Sequence, residues 1–586
     1  MTNKTTTVHE AEARPTIQIF LPDGRVLEGP RNSQLSFLLE GESDQPAPIV
    51  GGIVNGQLRE LMFPICMDAH VRPVRMDEAD GMRIYRRSLT FLLAAAFESL
   101  FPKVTLTVDH SVSSGGYYCE VHGRDPLSEA ELFQLTDAMR VLVEKDLPFA
   151  KAQMPVQEAI RYFQDKGYVD KAILLTHRKK PTLVMYQLED YRDYHHGYMV
   201  PSTGYLRWFA LSSANSGFTL QFPRRHRPTE ILDPPQYPKL LNTFRQYGHW
   251  LSTLGVQDIG ALNEAIENGR DRELILVSEA LHEARISEIA GDIAERKESV
   301  GVVLIAGPSS SGKTTFSKRL SIQLLTHGLS PFPLPMDNFF VDRMKTPRDE
   351  HGEFDYESLH ALDLDRLNHD LHSLMTGEEV HLPHYNFQTG LQEPGRTVQL
   401  GTDQIIILEG IHGLNPELLA GFDPERTFRV YVSALTQLNL DRLNRVSTTD
   451  TRLLRRIVRD ARYRGYSARD TINRWESVRR GEKRYIFPYQ ENANIMFNSA
   501  LVYEGAALAS LAEPLIRQVP FGTPEHVEAK RLLAFLEWFV PIDQKFVPEN
   551  SILREFIGGS NLRAFEPWHP TRLPKKNAPG AQGDDA

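Results

Sequence analysis

Apolar positions along this chain change their period several times. From Thr16 they alternate: Ile17, Ile19 and Leu21 are separated by polar or aromatic residues, Pro22-Asp23-Gly24 makes a turn, and Val26-Leu27 resumes. That is a hairpin pattern. Val54-Asn55-Gly56-Gln57-Leu58 supplies a second, Asn-Gly hairpin turn, and the two together predict a small β-rich domain over residues 15–75. A helical period follows over residues 82–100, with Leu89, Leu92, Leu93 and Ala96 on one face. Strands are predicted over 104–108 and 116–121, helices over 129–145 and 155–166, and renewed alternation over 204–222. Residues 76–225 therefore read as a mixed α+β domain. Residues 226–295 begin with Pro228, Pro234, Pro235 and Pro238. They turn helical over 239–255 and 272–297, the second helix placing Leu274, Leu276, Val277, Leu281 and Ile286 at near-helical spacing. A linker leading to docking helices is the expectation.

From Ser299 strands and helices alternate: strand 300–306, helix 316–327, strand 332–336, helix 362–375, then strands 404–409 and 427–432. This order predicts an α/β domain over residues 296–560, a parallel sheet with helices on both faces. The first dozen residues and residues 561–586, which close in PKKNAPGAQGDDA, lack apolar periodicity and are expected to be disordered.

Length and composition narrow the class. A chain of 586 residues exceeds one domain and fits three or four. A formal charge of −10 argues against a general nucleic-acid binder. Cys66 and Cys119 are the only cysteines and form no C-x-x-C pair, against a disulfide framework or a cysteine zinc site. No apolar run approaches the roughly 18 residues that span a membrane, and the N-terminus lacks a hydrophobic signal segment. A cytoplasmic protein without membrane contact is expected.

Chemistry concentrates after the strand at 300–306. Residues 307–315 read Gly-Pro-Ser-Ser-Ser-Gly-Lys-Thr-Thr, the G-x-x-x-x-G-K-S/T pattern with a strand before and a helix behind. Gly307 and Gly312 let the backbone bend so that the N–H groups of the loop, Ser309, Ser310, Ser311 and Thr315 among its residues, converge on phosphates. Lys313 reaches the terminal phosphates and Thr314 offers a hydroxyl to Mg²⁺. Asp337 ends the next short strand. In a parallel sheet that places it at the ligand edge, where it accepts a hydroxyl proton or supports Mg²⁺ through water, unless it only caps a loop. Glu409 ends the run Gln-Ile-Ile-Ile-Leu-Glu and reads as a second support for Mg²⁺, or as an ordinary strand-end acid. Arg452, Arg455, Arg456 and Arg459 recur at i+3 and i+4 and Arg464 follows. Such a helix is a lid over a transferring phosphoryl group, a solvated face, or an RNA-binding strip.

Over residues 300–500 the chain resembles the uridine kinase and phosphoribulokinase branch of P-loop kinases. The matching motifs are GPSSSGKTT (307–315), MDNFF (336–340), FDYES (354–358), LPHYNF (382–387), LEGIHGL (408–414) and RLLRRIVRDARYRG (452–465), followed by Phe487-Pro488 and Ala493-Asn494. The resemblance implies ATP and Mg²⁺ as cofactors, Asp337 as general base on a nucleoside 5′-hydroxyl, Thr314 and Glu409 attending Mg²⁺, and Asp355 on ribose hydroxyls. It implies Tyr385 near the base, and Arg456, Arg459 and Arg464 as the phosphate-side lid. Three positions depart from uridine–cytidine kinases: Asn386 stands for an Asp, Gly390 for a base-contacting His, and Tyr466 for an Arg that helps read the pyrimidine.

The front half resembles another family. Residues 15–75 are similar to the small β-grasp (TGS) domain that opens threonyl-tRNA synthetase, through IQIFLPDGRVLEGP and GGIVNGQLREL. Residues 76–225 resemble its second additional domain, which edits mischarged tRNA, through Asp80-Gly81-Met82-Arg83-Ile84-Tyr85-Arg86-Arg87-Ser88. Where that family carries an H-x-x-x-H pair this chain has Arg87 and Phe91, and a Cys-x-x-x-His pair corresponds to His195 and Met199. A zinc site needs three or four N, O or S ligands, so no zinc site is expected. His195 and His196 are expected to be solvated or to line a pocket. The same three-part order with a closing ILREFIGGS (552–560) is similar to a bacterial family labelled nucleoside or uridine kinase. The expected function is ATP-dependent phosphorylation of a small-molecule hydroxyl, first a uridine-like nucleoside. The alternatives are a non-nucleoside alcohol or sugar phosphate as acceptor, or a nucleotide-switched regulator binding RNA through its N-terminal half. Homo-oligomerisation stays open.

Overall fold

The strands Thr16–Phe20 and Val26–Pro30 pair antiparallel, with Ile17 and Ile19 buried as the alternation predicts. The computed structural model describes residues 14–42, 47–112, 115–214, 216–232, 237–350, 352–401, 403–436 and 438–568. Within them Ala69–Arg75 lies parallel to the first strand, and Ile49–Val54 and Gln57–Glu60 complete a five-stranded sheet. Asn55 (φ 47°) and Gly56 (φ 77°) are both left-handed, as a two-residue hairpin turn requires.

The helix Ala79–Leu100 buries most of its length. It shares a core with the four-stranded sheet Thr105–Val112, Gly116–His122, Gly217–Gln221 and Ala210–Ala214. A separate three-stranded sheet, Ala150–Pro155, Thr182–Leu188 and Tyr191–Tyr194, carries the His195 region at its end.

Residues 226–295 are less of a linker than the proline count predicts. The helices Pro238–Leu254, Ile259–Glu267 and Asp271–Glu295 contribute Tyr247, Leu251, Leu262 and Ile289 to a core that continues into Phe316, Leu320 and Ile552. The predicted stripe is only half right. Leu274 and Ile286 are buried and Leu281 packs against the core, but Leu276 and Val277 are exposed, and Ile275, Ile289 and Ile293 join the buried face.

The C-terminal sheet has the order Ser330–Pro335, Gln404–Glu409, Val302–Ala306, Thr427–Ser433, Ile495–Asn498, and every neighbour is parallel. Val303 and Ile305 face the core that includes Phe316, whereas Val302 and Leu304 face Leu367 and Leu371 on the other side. A hairpin, Val380–Asn386 with Leu391–Val398, stands beside the turn that carries Asp337. Residues 561–568, expected to begin the disordered tail, bury Leu562 and Trp568, whose ring lies 5.3 Å from Phe332. Single large side chains anchor a segment without any periodicity to betray it. Residues 569–586 and the first dozen lie outside the described residues. Among the described residues no helix is long and apolar enough to cross a membrane.

The connection leaving Thr427–Ser433 enters the front half before the next helix begins. Asn439 Nδ2 donates to the carbonyls of Val108 and Asp109 at 3.0 Å, and Leu443 joins the core of Phe91, Tyr191 and Met199. Asp441 lies 3.2 Å from Lys171 Nζ, which also pairs with Asp193 at 2.9 Å, all three fully buried.

Candidate active site

The strand Val302–Ala306 is buried along its whole length and delivers the phosphate loop to the carboxyl edge of the sheet. A Cβ on Gly307 would overlap the Val432 carbonyl, so only glycine lets the loop leave the strand here. Ser310 (φ 59°) and Gly312 (φ 89°) are left-handed, and this folds the loop into a concave row of amides ahead of the helix Lys313–Thr326. Ser310 Oγ and Ser311 Oγ are buried without a hydrogen-bond partner. Buried polar atoms left unpaired cost free energy, and phosphate oxygens of a nucleotide would satisfy them. Lys313 Nζ folds back to donate to the Pro308 carbonyl at 3.3 Å.

The predicted carboxylates arrive at the same edge. Thr314 Oγ1 donates to Glu409 Oε2 at 3.3 Å, the pair that would hold Mg²⁺. Burial pushes the Glu409 carboxyl up to about 7, with Lys313 opposing the shift and Asp337 and Glu555 adding to it. Asp337 sits in the first turn after Ser330–Pro335. Burial raises it, and Lys313 and Arg464 hold it back. One lysine therefore acts electrostatically on both acids, as the parallel sheet order implies.

On the acceptor side Asp355 Oδ2 accepts from the Tyr485 hydroxyl at 2.9 Å. Tyr385 stands in the hairpin with its ring 5.5 Å from Phe340 and 5.1 Å from Phe387, an aromatic corner next to the Asp337 turn. A Cβ on Gly390 would lie 2.7 Å from Cζ of Arg343, whose Nη2 donates to the Phe387 carbonyl at 2.8 Å. Arg343 thus fills the space that a side chain at 390 would take. Sequence reasoning missed Arg343, and it also missed Glu357. Burial raises the Glu357 carboxyl to about 7, Glu482 adds to the shift, and Arg456 and Lys313 oppose it. FDYES contains both Asp355 and Glu357, but nothing in the spacing says that the glutamate turns inward.

The arginine helix, Thr448–Tyr463, divides its charges rather than sharing one face. Arg452 is buried in a bidentate pair with Glu482, at 2.5 and 2.7 Å. Arg455 is buried against Glu504 and donates to the Ser310 and Ser311 carbonyls at 3.4 Å, bracing the phosphate loop from behind. Arg456, Arg459 and Arg464 gather instead on Asp460, at 3.3, 2.9 and 3.6 Å. Arg456 Nη1 also donates to Ser309 Oγ at 2.7 Å. These three are the arginines that the resemblance names.

In the front half the four positions of the second resemblance hold other chemistry. Arg87 Nη1 donates to the Tyr198 carbonyl at 2.6 Å. Phe91 is packed among Phe149, Tyr191 and His195, at 5.6, 5.0 and 5.4 Å, and Met199 is fully buried. Burial holds the His195 ring well below its usual range, so it is neutral. His196 turns the other way and receives Trp538 Nε1 at 3.3 Å. His195 is buried, and His196 is half-buried.

Residues 302–503 match the Phosphoribulokinase / Uridine kinase family. Among curated proteins the chain is similar to the threonine–tRNA ligase of Desulforamulus reducens, 29% identical over 199 residues, which is 34% of this chain and 31% of that protein. The threonine–tRNA ligase of Laribacter hongkongensis is 34% identical over 163 residues, 28% of this chain and 26% of that protein. The chain thus spans less than a third of the length of these relatives. Among solved structures, a D-glycerate 3-kinase from Cryptococcus neoformans overlaps 45% of this chain and 89% of its own at 15% identity, with a TM-score of 0.20. The "Possible Uridine Kinase from Bacillus stearothermophilus" overlaps 35% and 99% at 24% identity, with a TM-score of 0.21. Scores this low identify no acceptor. The C-terminal region is a kinase-family domain with a P-loop and a parallel sheet, and the N-terminal region is similar to threonyl-tRNA synthetase.

Proposed function

We propose that this protein is an ATP- and Mg²⁺-dependent kinase that phosphorylates a small-molecule hydroxyl, with the 5′-hydroxyl of a uridine-like nucleoside as its first acceptor. The observation that carries this reading is the meeting of Lys313, the Thr314–Glu409 pair and Asp337 at one edge of the sheet. ATP with Mg²⁺ supplies the transferable phosphoryl group when bound. The chain's own residues position and neutralise. The loop amides and Lys313 hold the phosphates, and Thr314 with Glu409 would hold the metal. Asp337 takes the proton of the acceptor hydroxyl, a task suited to a carboxylate raised by burial. Arg456, Arg459 and Arg464 offset charge that develops on the transferred group. Asp355 and the aromatic corner at Tyr385 orient the acceptor.

A coupled ATP-consumption screen across nucleosides, sugar phosphates and small alcohols tests the acceptor. A nucleoside response lost in Asp337→Asn supports the reading, whereas nucleosides without effect overturn the acceptor assignment. Arg343 at the space beside Gly390 favours a second reading, an acceptor with a carboxylate or phosphate at the end far from its hydroxyl. The same screen separates the two. Binding of RNA or a small effector by the front half is a further proposal, checked by salt-dependent tRNA binding.

A further inference from the structure

A carboxylate of the protein already stands on the phosphate loop. Glu555 Oε2 accepts from the Thr315 backbone N–H at 3.1 Å and from Thr315 Oγ1 at 2.9 Å. Thr315 N belongs to the first turn of the helix that follows the loop, where the amides and the positive end of the helix attract anions. The residues around Glu555 press on the same place. A Cβ on Gly312 would collide with Ile552, and the Arg455 guanidinium lies 5.1 Å from the Phe556 ring. Lys318 Nζ, one turn along the helix, donates to the carbonyls of Leu562 and Arg563 at 2.6 and 3.1 Å. Residues 551–563 therefore cross the start of the P-loop helix as a strap, leaving through two left-handed glycines, Gly558 (φ 86°) and Gly559 (φ 76°).

The loop amide of Ser309 also meets a carboxylate, Glu482 at 3.2 Å, but there the charge is matched by Arg452. Glu555 has no ion-pair partner among the described residues. Its charge faces an amide, a hydroxyl and a helix end, the partners that a phosphate oxygen of a nucleotide would use. A triphosphate brought beside it would meet a like charge.

Building on the kinase reading above, we propose that Glu555 is a built-in occupant of the donor phosphate site, and that nucleotide binding must displace its carboxylate from Thr315 while Ile552, Leu553 and Phe556 of the strap stay in the core. The contact is autoinhibitory: it keeps the first turn of the helix capped while the site is free and lowers the affinity for the donor.

The test is titration calorimetry of Mg-ATP into the full chain and into Glu555→Ala and Glu555→Gln, with Glu549→Gln as an exposed control. It is paired with hydrogen exchange over residues 313–316. Both Glu555 variants are expected to bind Mg-ATP about tenfold more tightly, since removing one like charge at short range is of that order. KM for ATP should fall by the same factor, the control should match the parent, and the amides of residues 313–316 should exchange faster in both Glu555 variants than in the parent until Mg-ATP is added. Glu555→Gln keeps the shape and guards against a folding defect in Glu555→Ala. Equal or weaker binding in both variants, with exchange over residues 313–316 no faster than in the parent, overturns the inference and leaves the kinase reading standing. Absence of Mg-ATP binding in the parent and both variants, with the fold intact, overturns the kinase reading and the strap with it.

Discussion

The two halves of this chain differ in what surrounds the positions that their resemblances mark. Around the phosphate loop Ser310 Oγ and Ser311 Oγ stay unpaired, Glu409 and Asp337 are held near one lysine, and three arginines share a single aspartate. Around Arg87 the positions that could have faced a ligand are closed. The guanidinium is tied to a carbonyl, Phe91 is wrapped in aromatic rings, and Met199 is core. Arg86 Nε, His110 Nε2, the Tyr194 hydroxyl and His195 Nε2 are also unpaired in the front half, His195 3.8 Å from Asp193, yet one neutral imidazole does not make a metal site. Unpaired buried polar atoms destabilise a fold by about 1–3 kcal/mol each, so they persist where a ligand completes them. The acids and the lysine that converge with them favour the edge behind Gly307 as the site of the proposed chemistry.

The contrast predicts where substitutions act. If the proposed roles hold, Lys313→Ala and Asp337→Asn should lower turnover by at least about 100-fold without shifting the unfolding midpoint, as expected for groups that act on the transition state. Parental turnover in Asp337→Asn would remove the base assignment. Asp441→Ala leaves the buried Lys171 with one carboxylate instead of two, and a loss of about 3–5 kcal/mol in denaturant unfolding is expected. Zinc or a chelator should leave the melting temperature of the full chain unchanged, and a rise of several degrees with zinc would reopen the front half as a metal site. The smallest effect concerns pH. Glu357 is raised by burial from an ordinary 4.5 to about 7, so between those values the folded chain binds more protons than the unfolded one. Its contribution is fully present below about 4.5 and fades as pH rises through 7. Glu357→Gln should flatten that part of a stability–pH curve.

Much of this was legible beforehand, and the failures have physical causes. Thr314, Glu409 and Asp337 could be placed from motif and strand order alone, because a parallel sheet sends the ends of its strands to one edge. The division of the arginine helix could not. Periodicity puts Arg452, Arg455, Arg456 and Arg459 on neighbouring rows, but only Glu482 and Glu504, arriving from distant segments, decide which become structural. Glu555 was invisible for the same reason, lying 240 residues from Thr315. The helices Pro238–Leu254 and Asp271–Glu295 were found as docking helices, but Ile259–Glu267 between them was not, nor which residues they bury, since the face they dock on is set by a core drawn from both ends of the chain.

The segment at 438–446 also bears on how the molecule is made. Chains emerge from the N-terminus first, so the slot formed by Val108, Lys171 and Tyr194 can be complete before Asp441 and Leu443 exist to enter it. The arginine helix starts a few residues later, at Thr448. Its position beside the phosphate loop can then be templated by a domain synthesised long before it, and a fault in the front half is expected to delay the docking of that helix even when the loop itself is intact.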